Sequence, residues 1–164
     1  MEYIYSEKNE SLEQVVVNIL KKENISLSVA ESCTGGMISK KITDIAGASK
    51  IYKGGIIAYS NELKIKLLGI NSDIIKEYGA VSNKVAGQMA DSIKNKTKSD
   101  IGIATTGISG PSGATAGKDI GIIFIAVSYN ETILVKKFNL IPKRNIHRET
   151  ASSIALNMIR KIIK

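Results

Sequence analysis

Hydrophobic and polar residues alternate with two different periods along this chain, which indicates that strands and helices follow one another. Ile25, Leu27 and Val29 are separated by serines, a period of two that is typical of a strand. From Met37 onward the apolar residues recur at helical spacing instead. The pattern therefore predicts a strand, a short turn and a helix over residues 25–45.

The rest of the chain continues this alternation until two strands stand next to each other. Gly47 is predicted to end the helix that begins at Met37, and Gly54 and Gly55 to mark a bulge or a close approach in the second strand. Alternating elements favour parallel strands, and a final hairpin adds antiparallel ones. The prediction is a three-layer α/β/α sandwich with a mixed sheet, built as one α/β domain over 1–164. The other predicted helices are 11–24, 60–68, 71–78, 82–93 and 146–162, and the other predicted strands are 51–59, 101–105, 120–128 and 132–138.

The turn between the first strand and its helix carries the first candidate chemistry. Residues 30–36 are small and mostly polar, and such a connection can raise a side chain above a sheet and aim helix N–H groups at it. Ser32 and Cys33 lie at the top of this turn, and both are candidate nucleophiles. An ordinary connection in which Ser32 or Thr34 caps the helix explains the same residues.

Length and composition narrow the class of protein. With 164 residues, 43% of them hydrophobic, the chain suits one domain with its own core. No apolar run approaches the ~20 residues of a membrane span, and no signal peptide is visible. One cysteine excludes an internal disulfide, so we expect a cytoplasmic protein without membrane contact.

The net charge of +8 could indicate nucleic-acid binding, but the distribution of the charge argues against it. The lysines occur singly or as dispersed pairs, and six tyrosines, two phenylalanines and no tryptophan offer few surfaces for base stacking. A basic pocket for an anionic small molecule, or a solvated lysine-rich surface, explains the charge better.

Histidine is too scarce for two familiar kinds of site. The only histidine, His147, falls in a helical pattern, and we expect it to face solvent. No cluster has the ligand spacing of a zinc site, so no metal is predicted. A Ser-His-Asp triad is disfavoured for the same reason. If Ser32 is a nucleophile, its base must be a lysine, a tyrosine or a carboxylate.

A glycine-rich loop over 107–118 resembles a phosphate-binding loop but departs from the Walker A pattern. Ser112 stands where that pattern needs glycine, and Asp119 follows Lys118 where it needs serine or threonine. Backbone N–H groups in such a loop can still form a nest for a phosphate or a carboxamide. A flexible surface loop is the alternative.

A lysine base would need a strongly perturbed pKa. An ordinary lysine has a pKa of ~10.4, whereas a useful base titrates near ~7 to 8. Burial and neighbouring positive charge can supply this difference, which corresponds to roughly 4 kcal/mol. Spacing alone does not identify which lysine acts.

Five stretches of the chain, taken together, resemble the CinA C-terminal domain, or nicotinamide-nucleotide amidase, family. They occur in the family's order and spacing, and the resemblance covers about residues 9 to 164. The family's enzymes hydrolyse the carboxamide of nicotinamide mononucleotide to nicotinate mononucleotide and ammonia without a metal, so the resemblance implies this reaction with no cofactor. The stretches are 30–36 (AESCTGG), 43–49 (TDIAGAS), 59–64 (YSNELK), 79–82 (GAVS) and 106–111 (TGISGP).

The resemblance also implies roles for individual residues. Ser32 corresponds to the nucleophile, Lys64 to its base and Tyr59 to a proton-relay or orienting partner. Lys66, two residues after Lys64, is the alternative candidate for the base. We expect backbone N–H groups at the start of the helix after Gly35 to hold the oxyanion. Ser109 departs from the family, many members of which have alanine there. The implied substrate-binding residues are Thr34, Gly35, Gly36, Thr106, Gly107, Gly110 and Arg144, with Arg148 as a second arginine near the substrate phosphate.

Three alternatives remain open at this point. Tyr59 could be a core tyrosine, and Cys33 a small buried thiol rather than a nucleophile. The protein could be a non-catalytic module that binds a pyridine nucleotide in a competence or damage response. A homo-oligomer is compatible with the sequence.

Overall fold

A five-stranded mixed sheet lies between two layers of helices in the computed structural model, which describes residues 9–114 and 117–163. The predictions for positions outside these ranges, including part of the 107–118 loop, lie outside the described residues. The strands are β1 (Leu27–Glu31), β2 (Tyr52–Ile57), β3 (Ile101–Gly107), β4 (Ile122–Tyr129) and β5 (Thr132–Asn139), and the helices are α1 (Leu12–Glu23), α2 (Met37–Thr43), α3 (Asn61–Leu68), α4 (Ser72–Tyr78), α5 (Asn83–Thr97) and α6 (Arg144–Ile163), with a short 3-10 helix over Ala48–Lys50.

The order of the strands gathers three strand ends at one edge of the sheet. The order is β2-β1-β3-β4-β5; β1 is parallel to β2 and to β3, whereas β4 and β5 pair antiparallel. The predicted three-layer α/β/α sandwich with a mixed sheet is therefore confirmed. Ligands of open α/β sheets bind outside the carboxyl ends of such strands.

Several predicted boundaries shift, each for a local reason. α2 ends at Thr43, whose hydroxyl donates back to the Ser39 carbonyl, and Gly47 instead precedes the 3-10 helix with a φ of 81°. The prediction that Gly47 ends this helix is therefore wrong. β2 is shorter than 51–59 because the chain turns toward α3, whose first turn is capped by the Ser60 side chain. The expected irregularity near Gly54 is confirmed, since the β1–β2 register shifts there.

Large and small side chains segregate to opposite faces of the sheet. The face that carries Leu27, Val29 and Ile103 packs with α1, α2 and α6 in one apolar cluster. The opposite face carries alanine, serine and glycine, and it packs against α5. Because these side chains are short, the backbone of α5 lies close to the sheet: an added Cβ at Gly102 would lie 2.1 Å from the Ala90 carbonyl oxygen.

α6 is the longest helix, and it packs on the large-residue face through an apolar stripe that includes Ala151, Ala155 and Ile159. Arginine, glutamate and histidine side chains interrupt that stripe in its first turns. None of the helices in the described ranges combines the length and the hydrophobicity that a membrane span requires.

We expect Gly102→Ala to lower the free energy of unfolding by about 3 kcal/mol or more, because the new methyl group overlaps the backbone of α5. Gly87→Ala is the matched control: it lies on α5 itself, its Cβ would meet Ile133 and Val135 at an ordinary 3.5 Å, and alanine favours a helix by about 1 kcal/mol. Urea unfolding followed by circular dichroism measures the free energy of unfolding of each variant. Equal effects of the two substitutions would contradict the close packing of α5.

Candidate active site

A cavity of about 280 Å³ opens at the carboxyl edge of the parallel strands. Its walls come from the β1–α2 turn, the β2–α3 connection, the segment before α5, the loop after β3 and the start of α6. The lining residues are Ser32, Cys33, Tyr59, Asn61, Lys64, Ala80, Val81, Thr106, Gly107, Ile108, Ser109, Gly110, Ser112, Gly113 and Arg144.

Ser32 and Lys64 meet at the base of this cavity. The Ser32 backbone N–H donates to the Thr105 carbonyl, which holds the residue directly after β1. The Ser32 Oγ lies 3.0 Å from the Lys64 Nζ, and the same Nζ donates to the Ala58 carbonyl at 2.9 Å. Both side chains are buried. A neutral amine in this position can donate to Ala58 and still offer its lone pair to the Ser32 hydroxyl.

The surroundings of Lys64 favour the neutral amine. Burial lowers the pKa of Lys64, because the ammonium form loses its hydration. A thiolate at Cys33 would oppose this effect, but burial raises the pKa of Cys33 to about 12, so the thiol stays protonated at neutral pH. Lys66 is exposed on α3 and lies outside the cavity lining. Of the two lysines considered from the sequence, only Lys64 therefore contacts Ser32.

Glu31 holds the turn in place, a role that the sequence analysis missed. Its buried carboxylate accepts hydrogen bonds from the backbone N–H groups of Gly36, Ile38 and Ser39 at 2.9 to 3.2 Å, and from the Ser39 hydroxyl at 2.7 Å. The carboxylate thus neutralises the positive end of α2. The signal in the sequence that could have revealed this role is an acidic residue shortly before the start of a helix.

This arrangement corrects two expectations. The residue at the N-cap of α2 is Gly36, with a φ of 92°, so neither Ser32 nor Thr34 caps the helix. The N–H groups at the start of α2 are already engaged, three by Glu31 and that of Met37 by the Thr34 carbonyl, so the expectation that they hold an oxyanion is wrong. Within the described residues, the backbone N–H of Cys33, the residue that follows the serine, donates to no carbonyl of another residue. In nucleophile elbows this N–H is an oxyanion donor.

Arg144 and Tyr59 form the outer wall of the cavity. The Arg144 Nη2 donates to the Tyr59 Oη at 2.7 Å, and its Nη1 donates to the Gly110 carbonyl at 3.2 Å. Tyr59 is 56% exposed and is therefore not a core tyrosine. Thr106 also faces the cavity and donates to the Ala80 carbonyl at 2.8 Å. The described cavity lining contains the Arg144 guanidinium but no carboxylate, which suits an anionic ligand.

Four residues that the resemblance assigned to the substrate lie outside the cavity lining. The Thr34 hydroxyl bonds to that of Thr105 at 2.8 Å, and the Arg148 guanidinium donates to the Thr34 carbonyl at 2.8 and 3.2 Å. Gly35 adopts a φ of 59° beside Arg148, and Gly36 adopts the positive φ of the N-cap. These residues shape the turn that presents Ser32.

His147 does not face solvent, so that expectation is wrong. The side chain projects from α6 and is fully buried against the loop after β3. Its Nδ1 lies 2.9 Å from the Ser109 Oγ, and its Nε2 lies 3.2 Å from the Gly121 carbonyl oxygen. Burial lowers the pKa of His147, although the bond to Gly121 opposes this effect. The helical pattern of α6 could not reveal this burial, because the loop that covers His147 precedes β4 and β5 and is therefore distant from α6 in sequence.

Curated relatives resemble the chain along nearly its whole length. A "CinA-like protein" of Kosmotoga olearia is 44% identical over 162 residues, which cover 99% of this chain and 39% of that protein. A "CinA-like protein" of Dictyoglomus turgidum is also 44% identical, over 98% of this chain and 39% of that protein. The chain therefore spans about two-fifths of the length of these relatives.

Solved structures share the fold. The competence/damage inducible protein CihA from Agrobacterium tumefaciens superposes with a TM-score of 0.90 at 30% identity, covering 93% of this chain and 94% of that chain. A CinA superfamily protein from Escherichia coli superposes with a TM-score of 0.91 at 24% identity, over 99% and 95% of the two chains, which supports the fold alone. The family model of the CinA C-terminal domain matches residues 9–163. The resemblance noted from the sequence is thereby confirmed, and the chain belongs to the CinA C-terminal domain family.

Proposed function

We propose that this protein is a serine amidohydrolase that hydrolyses the carboxamide of nicotinamide mononucleotide to nicotinate mononucleotide and ammonia. The observation that supports this proposal best is the 3.0 Å contact between the Ser32 Oγ and the buried Lys64 Nζ at the base of an open cavity. A site that only binds a ligand needs no hydroxyl paired with an amine of lowered pKa. Family membership is consistent with the proposal.

In the first step, neutral Lys64 takes the hydroxyl proton of Ser32 as the Oγ attacks the carboxamide carbon. The negative charge then moves to the carboxamide oxygen. The backbone N–H of Cys33 is the nearest donor in sequence that Glu31 does not engage, and it is the proposed oxyanion donor. One such donor is worth about 3 kcal/mol of barrier.

The second half of the reaction returns the proton. The Lys64 ammonium protonates the amide nitrogen, the C–N bond breaks and ammonia leaves, so that an ester to Ser32 remains. Lys64, neutral again, takes a proton from water as the water attacks this ester. Nicotinate mononucleotide leaves and the Ser32 hydroxyl is restored, without a metal or a cofactor in any step.

The outer wall of the cavity would bind the nucleotide's phosphate. The Arg144 guanidinium can replace its contacts with Tyr59 and Gly110 by a two-pronged pair with phosphate oxygens. The Tyr59 hydroxyl, which now accepts from Arg144, can donate its own proton to the same phosphate. Binding energy from the phosphate can be used at the carboxamide, so the nucleotide should react far better than free nicotinamide.

Ser32→Ala should lower kcat/KM for nicotinamide mononucleotide by at least about 10³-fold, because the attacking oxygen is lost. Ammonia release measured by a coupled assay tests this, with thermal unfolding as the check on folding. Activity comparable with wild type would contradict the nucleophile assignment. Binding of the nucleotide by wild type without ammonia release would favour the non-catalytic module.

Cys33→Ala is the matched substitution at the neighbouring residue, and it should retain activity within about tenfold. The thiol is a poor nucleophile here because its pKa is raised to about 12, while the backbone N–H of residue 33 survives the change. Iodoacetamide should alkylate the native wild-type thiol far more slowly than the unfolded one. Loss of activity as complete as in Ser32→Ala, with the fold intact, would make Cys33 the nucleophile.

Lys64→Met should abolish ammonia release and change how stability depends on pH. The pKa of Lys64 is lower in the folded than in the unfolded chain, so between the two values the unfolded chain binds more protons. Wild-type stability relative to Lys64→Met should therefore rise with pH from the lowered pKa up to the ordinary 10.5. Urea unfolding of both proteins across this range measures the difference.

The exposed Lys66→Met is the control for activity, and it should release ammonia at the wild-type rate. A stability difference between wild type and Lys64→Met that stays constant with pH would contradict the lowered pKa of Lys64.

A further inference from the structure

Ser109 and His147 form a second polar pair on the wall of the same cavity, apart from the Ser32–Lys64 contact. Ser109 lies on the loop after β3 and lines the cavity, and His147 lies in the first turns of α6 behind it. Both side chains are buried, at 5% and 0% exposure, and the Ser109 Oγ lies 2.9 Å from the His147 Nδ1. The proposed mechanism leaves this pair without a role.

The direction of the hydrogen bond within the pair follows from the other end of the imidazole. The Nε2 lies 3.2 Å from the Gly121 carbonyl oxygen, which can only accept, so Nε2 carries the proton. A neutral imidazole has one N–H, and burial favours the neutral ring. Nδ1 is therefore an acceptor, and the Ser109 hydroxyl donates to it.

A serine beside an imidazole could be a second nucleophile, but its surroundings argue against that role. A catalytic histidine gains a positive charge when it removes the serine proton, and a carboxylate usually stabilises that charge. The group behind His147 is a neutral carbonyl, and Arg144, one turn earlier on α6, is a cation. The imidazole thus fixes the Ser109 hydroxyl rather than deprotonating it.

From this geometry we propose that Ser109 is a specificity-determining residue that presents only oxygen lone pairs to the cavity. Its proton is committed to His147, so it can accept a hydrogen bond from a ligand but cannot donate one. The inference rests on the proposed function for its ligand: the carboxamide N–H₂ and the ribose hydroxyls of nicotinamide mononucleotide are donors, whereas a carboxylate is not. His147 is the positioning residue that sets this polarity.

The polarity of the pair can be observed directly, because the chain has a single histidine. Long-range ¹H–¹⁵N correlation on the ¹⁵N-labelled wild-type protein distinguishes protonated from unprotonated ring nitrogens without any assignment problem. We expect a neutral ring protonated at Nε2 at pH 7. A ring protonated at Nδ1, or at both nitrogens, would overturn the proposal whether or not the protein is an amidase.

Substitution then tests the effect on the ligand. Ser109→Ala should raise KM for nicotinamide mononucleotide about five- to tenfold, the loss of one hydrogen bond, and leave kcat within about twofold. Ser109→Thr, which keeps the hydroxyl, should restore much of the affinity. Ser152→Ala, which removes a buried α6 hydroxyl that donates to the Arg148 carbonyl, is the control and should change neither constant. A loss of kcat as large as in Ser32→Ala, or no change in KM, would overturn the proposal.

Comparing how the substrate and the product bind shows whether the carboxamide or a ribose hydroxyl donates to Ser109. In the Ser32→Ala background, where no turnover interferes, calorimetry measures both nucleotides, nicotinamide and nicotinate mononucleotide, with and without the additional Ser109→Ala substitution. If the carboxamide is the donor, Ser109→Ala weakens only the amide nucleotide; if a ribose hydroxyl is the donor, it weakens both equally. Both results support the inference, and unchanged binding of both nucleotides overturns it. Failure of the proposed function would appear separately, as absent ammonia release by wild type.

Discussion

A buried amine that contacts no carboxylate of the described residues is the constraint on which this site depends. Lys64 contacts the Ser32 hydroxyl and the Ala58 carbonyl, and neither carries a charge that would stabilise an ammonium group. The cost of removing the ammonium from water lowers the pKa of Lys64. The same burial that disfavours folding therefore favours the neutral amine that the proposed serine amidohydrolase reaction requires.

The sheet and its turns hold the serine opposite that amine with little freedom. The Glu31 carboxylate accepts hydrogen bonds from backbone N–H groups at the start of α2. Arg148, on α6, donates to the Thr34 carbonyl in the turn. The Ser32 backbone is tied to β3 through Thr105. Because all these partners are charged or backbone groups in buried or partly buried positions, the serine lies on a rigid support, which favours precise orientation.

The start of α6 holds the loop after β3 against the cavity through two side chains. Its first turn carries Arg144, which reaches Tyr59 and Gly110 on the outer wall, and His147, which holds Ser109 and Gly121 on the loop after β3. One helix thus supplies the cation that lines the cavity and the imidazole that orients the Ser109 hydroxyl. This arrangement suits a ligand with a phosphate at one end and hydrogen-bond donors along its length.

The sequence by itself determined the sandwich and the strand–turn–helix that presents Ser32, and its resemblance to the family indicated Lys64, Tyr59 and Arg144 as site residues. Local periodicity encodes the sandwich and the strand–turn–helix because each element depends on neighbours along the chain, whereas those site residues follow only from the resemblance. Only the tertiary structure decided that Lys64 rather than Lys66 is buried against the serine, that Glu31 occupies the helix N–H groups and that His147 is covered. Burial and the choice of polar partners depend on segments far apart in sequence, so no local pattern contains them.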